Sequence, residues 1–506
     1  MTLATATGDI SPDQIIVPSG HWIGGRTLED GVAPLSVLRP SDGCLHGAVA
    51  EAGAAVVDAA VKAAQAGQAA WAAMRPRQRG DLMRRWADLV DRDRERLARL
   101  ESVVSSRALH ETRANDVPAV AEWLRFYGEY ADKLEGTVTA SGDDRLSLIL
   151  REPYGVVGII TPWNFPLFLA TWKLAPAIAA GNAVVVKASE LTPWSVQGLA
   201  ELATEAGLPH GVINVVHGTG PVTGRALVQH PGVAYVTFTG STATGARIMS
   251  DAASSGIKPV ALELGGKSAT VVHADCGDLD AVADHVTWGI TRNAGQLCYA
   301  GSRLVVDERV ADELVHKVVQ RMQRLTPGPT WSDSTSLAPI ISERQWSRID
   351  SLVQRTVDEG ARVQCGATPQ RLQGGCFYPG TVLDDVRTDM TGFREEIFGP
   401  VLCVQRFTDP EQALGLANHP VYGLSAAVFT RDIQRALASA RGLKAGTVWV
   451  NRWGRTPEMM SSPFGGYGQS GIGKESGRPG IDGFLRSKTV WVDFAATAEL
   501  AQGGRR

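Results

Sequence analysis

The feature that most constrains this chain is a repeated alternation of short β-branched runs with segments long enough for a helix. The runs at 183–187 (AVVVK), 212–216 (VINVV), 234–238 (AYVTF) and 269–272 (ATVV) are separated by stretches such as 195–206. Strands without a polar face bury both faces, so the pattern predicts a parallel sheet covered by helices. The second half repeats the style, with strands at 303–307, 401–405, 426–429 and 446–450 and helices over 310–325 and 433–440. Two α/β domains joined near residues 265–275 follow. Ahead of them, residues 53–73 are alanine-rich, and Leu82, Trp86, Leu89, Leu97 and Leu100 recur at helical spacings, which predicts two amphipathic helices. From Leu146 the pattern changes to alternation, a strand signal interrupted by Pro153 and Gly155.

Composition narrows the function classes. At 506 residues the chain exceeds one hydrophobic core, and 44% hydrophobic with 20% charged residues is globular rather than disordered. Lys plus Arg number 50 against 53 Asp plus Glu, so no basic field exists to collect nucleic acid or a membrane surface, and small molecules are the expected partners. The most apolar stretch, 167–186, is broken by Lys173, Pro176 and Asn182, so no membrane span is expected. The opening MTLATATGDISPD has neither a charged start nor an apolar block, which points to a cytoplasmic location. Cys44, Cys276, Cys298, Cys365, Cys376 and Cys403 form no C-x-x-C pair and read as reduced thiols; no His or Cys pair has metal-ligand spacing, and no metal is expected.

Several short segments carry chemistry-bearing residues. GSTATG (240–245) follows a predicted strand and opens a helix whose free amides would hold a phosphate, although a plain strand-to-helix turn uses the same residues about as often. Lys187 and Glu190 are spaced to meet at a strand end, and taken alone they read as a solvated pair. Cys298, in AGQLCYA (294–300), is flanked by small residues that admit a ligand. A free cysteine is usually a small buried hydrophobe, so its company decides. Glu263 in ELGGK (263–267) ends a predicted strand beside paired glycines, and Asn164 in PWNFP (162–166) is held between two prolines. A thiol, a carboxylate and an amide donor are the parts of covalent acyl chemistry.

With KASE (187–190), FTGSTATG (238–245), EEIFGP (395–400) and PFGGYGQSGIGKE (463–475), these motifs stand in an order and spacing that resembles the aldehyde dehydrogenase superfamily over nearly the whole chain. The resemblance implies a Rossmann-like NAD-binding domain over 1–130 and 154–265, a second α/β catalytic domain over 266–470, and a small β oligomerisation arm from 131–153 and 485–506. It implies oxidation of an aldehyde to its carboxylic acid through a cysteine thiohemiacetal and thioester. Cys298 would be the nucleophile, Glu263 the general base, and the Asn164 side chain with the Cys298 backbone N–H the oxyanion donors. Thr161, Trp163, Lys187, Glu190, Gly220, Gly224, Phe238, Gly240, Ser241, Thr244, Leu264, Glu396 and Phe398 would bind the cofactor. A carboxylate at Glu190 suits ribose hydroxyls and repels a 2′-phosphate, which favours NAD, with NADP possible. A homodimer or homotetramer is implied, since strand edges of the arm need a partner chain.

Departures from the family pattern fall near the aldehyde entrance: Tyr299 after the nucleophile, Gly468 where lysine is common, and a longer segment between Asn451 and Pro463. Phe165, Leu169, Trp172, Tyr299, Trp453 and Phe464 would line the substrate pocket. Arg452 and Arg455 would greet a carboxylate-bearing aldehyde, or else are solvated loop residues, the commoner case for surface arginines. A CoA-acylating relative is disfavoured by Glu263, an idle scaffold by the presence of Cys298, Glu263 and Asn164 together, and a cysteine hydrolase by the lack of a histidine near the cysteine motif.

Overall fold

The computed structural model describes residues 10–494. Five parallel strands form the centre of its first sheet, in the order Ile213–Val216, Ala183–Lys187, Val156–Ile160, Tyr235–Thr239, Val260–Glu263. The chain thus winds outward one way from Val156–Ile160 and then the other, and the reversal opens a crevice at the carboxyl ends of Val156–Ile160 and Tyr235–Thr239. Every residue of Val156–Ile160, Ala183–Lys187 and Tyr235–Thr239 is buried, as runs without a polar face require. Antiparallel strands close the edges, His21–Ile23 and Arg26–Leu28 on one side and Gly471–Ile472 on the other.

The second sheet runs Arg362–Cys365, Thr381–Asp384, Val401–Phe407, Arg303–Asp307, Ala269–Val272, Ser425–Phe429, Thr447–Val450, with only Arg362–Cys365 antiparallel. Glu263 ends the first sheet and Ala269 opens the second, so the intervening ELGGK glycines lie where the two sheets meet. A third, antiparallel sheet pairs Leu485–Asp493 with Arg145–Pro153 over nine residues, with Thr137–Thr139 on the far side. The rest of the expected arm, 495–506, and the expected start of the first domain, 1–9, lie outside the described residues. No helix among the described residues is long and apolar enough to cross a membrane.

One helix expected over Leu82 to Leu100 is two, Pro76–Arg92 and Arg94–Val104. Asp93 leaves helical geometry between them at φ −94°, ψ 16°, and its carboxylate accepts hydrogen bonds from Arg92 (2.7 Å) and Arg96 (3.0 Å), one on each helix. Periodicity survives such a break because both helices face the same layer. Trp86, fully buried, anchors the first by donating its indole N–H to the Leu199 carbonyl at 3.0 Å.

Leu304, fully buried in the second sheet's interior, contrasts with Val450 in an edge strand at 37% exposure. Leu304→Ala is expected to cost about 2–5 kcal/mol, and Val450→Ala less than about 1 kcal/mol, by denaturant titration.

Candidate active site

The strand ends at the crevice open onto a groove of about 800 Å³. Thr161, Trp163 and Asn164 follow the first parallel strand, Lys187 and Glu190 the second, Gly220 and Gly224 the third, and Phe238, Gly240, Ser241 and Thr244 surround the end of the fourth; all line the groove. Lys187 Nζ meets Glu190 Oε2 at 3.2 Å. Only its lysine is withdrawn from solvent: the Lys187 side chain is 4% exposed and burial pushes its ammonium below the usual lysine range, while Glu190 stays 37% exposed at the groove. The Ser241 hydroxyl accepts from the Thr244 N–H at 3.3 Å and caps helix Thr242–Ser254, so that helix directs its positive end at the groove. Leu264 does not join the lining. Its side chain is buried and packs beneath the helix, where a Cβ on Gly245 would lie 2.7 Å from it.

The opposite wall comes from the second sheet's side. Glu396 accepts the Gly266 N–H at 3.0 Å, and burial pushes its carboxyl up to about 7. A Cβ on Gly265 would stand 2.1 Å from the same carboxylate, so only glycine leaves it room. Phe398 sits at φ +58° and meets Trp163 edge-on, centroids 5.4 Å apart. Arg348 and Gln345, from helix Glu343–Asp358, hold this loop by donating to the carbonyls of Glu396 (2.8 Å) and Phe398 (3.0 Å). Neither belongs to a recognisable motif, and sequence reading passed over both.

Cys298 follows a tight left-handed turn. Asn293, Ala294 and Gly295 have φ of 51°, 50° and 71°, a conformation that costs roughly 1–2 kcal/mol for each residue with a Cβ. Side-chain amides hold it: Asn293 Nδ2 donates to the Asn164 carbonyl, Asn164 Nδ2 to the Gln296 carbonyl and Gln296 Nε2 to the Asn293 carbonyl, each at 3.0 Å. One amide hydrogen of Asn164 therefore fixes the backbone two residues before the cysteine and the other remains for a ligand. On the other flank, a Cβ on Gly266 would come within 3.1 Å of the Cys298 carbonyl. The half-buried thiol lines the groove and is pushed upward, first by burial and then by the charges of Glu263 and Glu396.

Glu263 is 6% exposed, and its Oε2 has no hydrogen-bond partner among the described residues. Burial, and next the charge of Glu475, hold its carboxyl well above the ordinary range. Glu475 is paired with Lys173 across 302 residues in a buried ion pair. In the sequence Glu475 closes the PFGGYGQSGIGKE motif and Lys173 interrupts an apolar run, and neither spacing signals that the two meet at the site.

The expected substrate residues lie behind Cys298 rather than in the groove. Tyr299 packs against Phe464 (6.1 Å) and Trp449 (6.0 Å), Phe464 against Trp172 (5.2 Å), and Trp453 against Trp449 (5.2 Å). Leu169 is buried, and Phe165 lies under the Arg107 guanidinium at 4.2 Å. The structure separates the two loop arginines. Arg452 stands toward His285 and Glu458, whereas Arg455 lies over the rings of Trp172 (5.3 Å) and Phe464 (5.4 Å) and is no solvated loop residue.

A family model for the aldehyde dehydrogenase family matches residues 28–490. The chain is 42% identical over 427 residues to the NADP/NAD-dependent aldehyde dehydrogenase PuuC of Escherichia coli (strain K12), covering 84% of this chain and 85% of that one. It is 39% identical over 478 residues to an aldehyde dehydrogenase of Alternaria alternata, covering 94% and 95%. Among solved structures, an indole-3-acetaldehyde dehydrogenase complexed with NAD+ superimposes with a TM-score of 0.92 at 37% identity, covering 95% of this chain and 98% of that one. A gamma-glutamyl-gamma-aminobutyraldehyde dehydrogenase from Burkholderia cenocepacia J2315 gives 0.93 at 37% identity, covering 96% and 98%. The chain belongs to the aldehyde dehydrogenase family. It is an enzyme that oxidises an aldehyde to its carboxylic acid with a nicotinamide cofactor.

Gly295 leaves no room for a side chain, since a Cβ there would fall 2.1 Å from the Gly399 carbonyl while φ stays left-handed. Gly295→Ala is expected to cost about 1–3 kcal/mol of stability in a thermal melt and to lower kcat/KM at least about tenfold in an NADH assay.

Proposed function

We propose that Cys298, Glu263 and Asn164 carry the reaction and that the groove holds NAD, with NADP also accepted. The observation that carries this reading is the meeting of the PWNFP, ELGGK and GQLC segments around one groove-facing sulfur. The groove suits a dinucleotide: a helix N-terminus for its phosphates, the carboxylate of Glu190 for ribose hydroxyls, and glycines at 220, 240 and 265 that keep side chains out of its path. Glu190 supports NAD as the better cofactor, and the relative described as NADP/NAD-dependent supports use of either.

Cys298 gives up its proton to solvent water in the groove and adds its sulfur to the aldehyde carbon, forming a thiohemiacetal whose oxygen carries the charge. The free amide hydrogen of Asn164 and the Cys298 backbone N–H donate to the new oxyanion. A bound dinucleotide supplies the acceptor for the hydride that leaves this carbon as the thioester forms. Glu263, a carboxylate made more basic by burial, then takes a proton from a water; that water adds to the thioester, the carbon–sulfur bond breaks, and acid and thiol are released. An unpartnered buried Oε2 on Glu263 favours water rather than a CoA thiol as the second nucleophile.

The two large sheets support a division into 1–130 with 154–265 and 266–470, and the third sheet supports an oligomerisation arm built on 131–153 and the described part of 485–506. Trp491 and Phe494, 57% and 61% exposed on its outer strand, support a homodimer or homotetramer joined there. Six free cysteines support a cytoplasmic location.

Cys298→Ala is expected to abolish NADH formation from aldehydes. Glu263→Gln leaves the first half-reaction, so stopped-flow absorbance shows about one NADH per site followed by a stall; steady turnover at the wild-type rate would remove Glu263 from its role. Because Glu263 works only when deprotonated and its pKa is raised, kcat climbs with pH above the usual carboxylate range. Glu475→Gln deletes a charge that raises it and frees the Lys173 ammonium, which lowers it, so this climb moves to lower pH in a kcat–pH profile.

A further inference from the structure

Three guanidinium groups gather near the residue that follows the nucleophile: Arg455 lies over Phe464, which packs against Tyr299, and Arg292 and Arg107 lie over Phe165. Burial raises the Tyr299 hydroxyl, and their positive charges oppose that shift. Arg107 is neutralised by Glu111 (2.6 Å) and Asp116 (2.7 Å). Arg292 reaches only Asp116 Oδ1, at 3.9 Å, an oxygen already bonded to Arg107. It otherwise lies over the rings of Trp288 (5.2 Å) and Phe165 (5.5 Å).

Arg455 has no carboxylate within 4 Å among the described residues. All its hydrogen bonds there leave from Nη2, to Met459 O (2.7 Å), Ser476 Oγ (3.3 Å) and Ser462 O (3.4 Å), so among the described residues Nε and Nη1 have no acceptor. Its guanidinium rests on Trp172 and Phe464, and Phe464 also packs against Tyr299. Burial lowers its proton affinity, and the charges of Glu475 and Glu263 oppose that shift from beyond ion-pair distance. A half-buried cation without a directly paired anion costs free energy that aromatic faces recover only in part. An anion arriving with the substrate would complete it, one ring away from the residue adjoining the reactive sulfur.

We propose that the aldehyde oxidised here carries a second, ionised carboxylate at the end remote from its carbonyl, and that Arg455, with Arg292 adding positive field, binds it through the unused Nε and Nη1 donors. The proposal rests on the aldehyde-oxidising reading of Cys298. A charge-assisted contact of this kind belongs to ground state and transition state alike, so its loss falls on KM rather than kcat.

The test is NADH formation with succinic, glutaric and adipic semialdehyde against butanal, pentanal and hexanal. The wild-type enzyme is expected to favour at least one acid over its neutral counterpart by about tenfold or more in kcat/KM. Arg455→Gln is expected to erase that preference through KM, with Arg455→Lys restoring part of it and Arg292→Gln weakening it. A purely structural role for Arg455 would lower turnover of acids and neutral aldehydes together and leave their ratio standing, which would overturn the proposal. Equal or better turnover of the neutral aldehydes by wild type would overturn it alone, whether or not the Arg455 variants fold. Absence of NADH with every aldehyde would overturn the reaction reading and this proposal with it.

Discussion

The site depends on a ring of amide hydrogen bonds in which Asn164, Asn293 and Gln296 hold one another's backbones. A left-handed run of three residues is unfavourable where two of them carry a Cβ, and it persists only because these bonds and the close approach of Gly295 to Gly399 over-determine it. The consequence is a cysteine whose position relative to Asn164 is set by the same bonds that relieve the strain. Preorganisation of the proposed nucleophile and its proposed oxyanion donor therefore has one structural cause rather than two.

A second constraint is the short crossing between the large sheets. Glu263 ends one and Ala269 begins the other, and the glycines between them leave space that side chains would fill. Glu396 enters that space and accepts the Gly266 N–H, while the Cys298 backbone presses from the other flank. One loop thereby brings together the Glu263 carboxylate from the end of the parallel strands, the Glu396 carboxylate from a later segment and Cys298. Burial raises Glu263, Glu396 and the Cys298 thiol alike, and neighbouring carboxylate charge adds to it at Glu263 and Cys298. A raised carboxyl is a better base near neutral pH, which is what the role proposed for Glu263 requires.

Much of this was legible in the chain. Short β-branched runs dictate strands buried on both faces, and the glycine-rich motifs mark turns where only a missing side chain permits close approach. Lys187 and Glu190 meet as their spacing implies, and Ser241 caps the helix that its motif announced. Leu264 shows the limit, because neighbouring a site residue says nothing about which way a side chain turns, and packing against Gly245 claimed it for the core.

By itself the sequence determined the alternation of elements, the motif order and the chemical types of the groups at the site, since these are local or are carried by short spacings. Tertiary structure alone decided that Glu475 pairs with Lys173, that Arg348 and Gln345 brace the Glu396 loop, that the helix at Asp93 breaks, and that Arg455 lies on Trp172 and Phe464 with no carboxylate paired to it among the described residues. These depend on segments far apart in the chain arriving at one place, and neither periodicity nor composition encodes the direction from which a distant side chain will come.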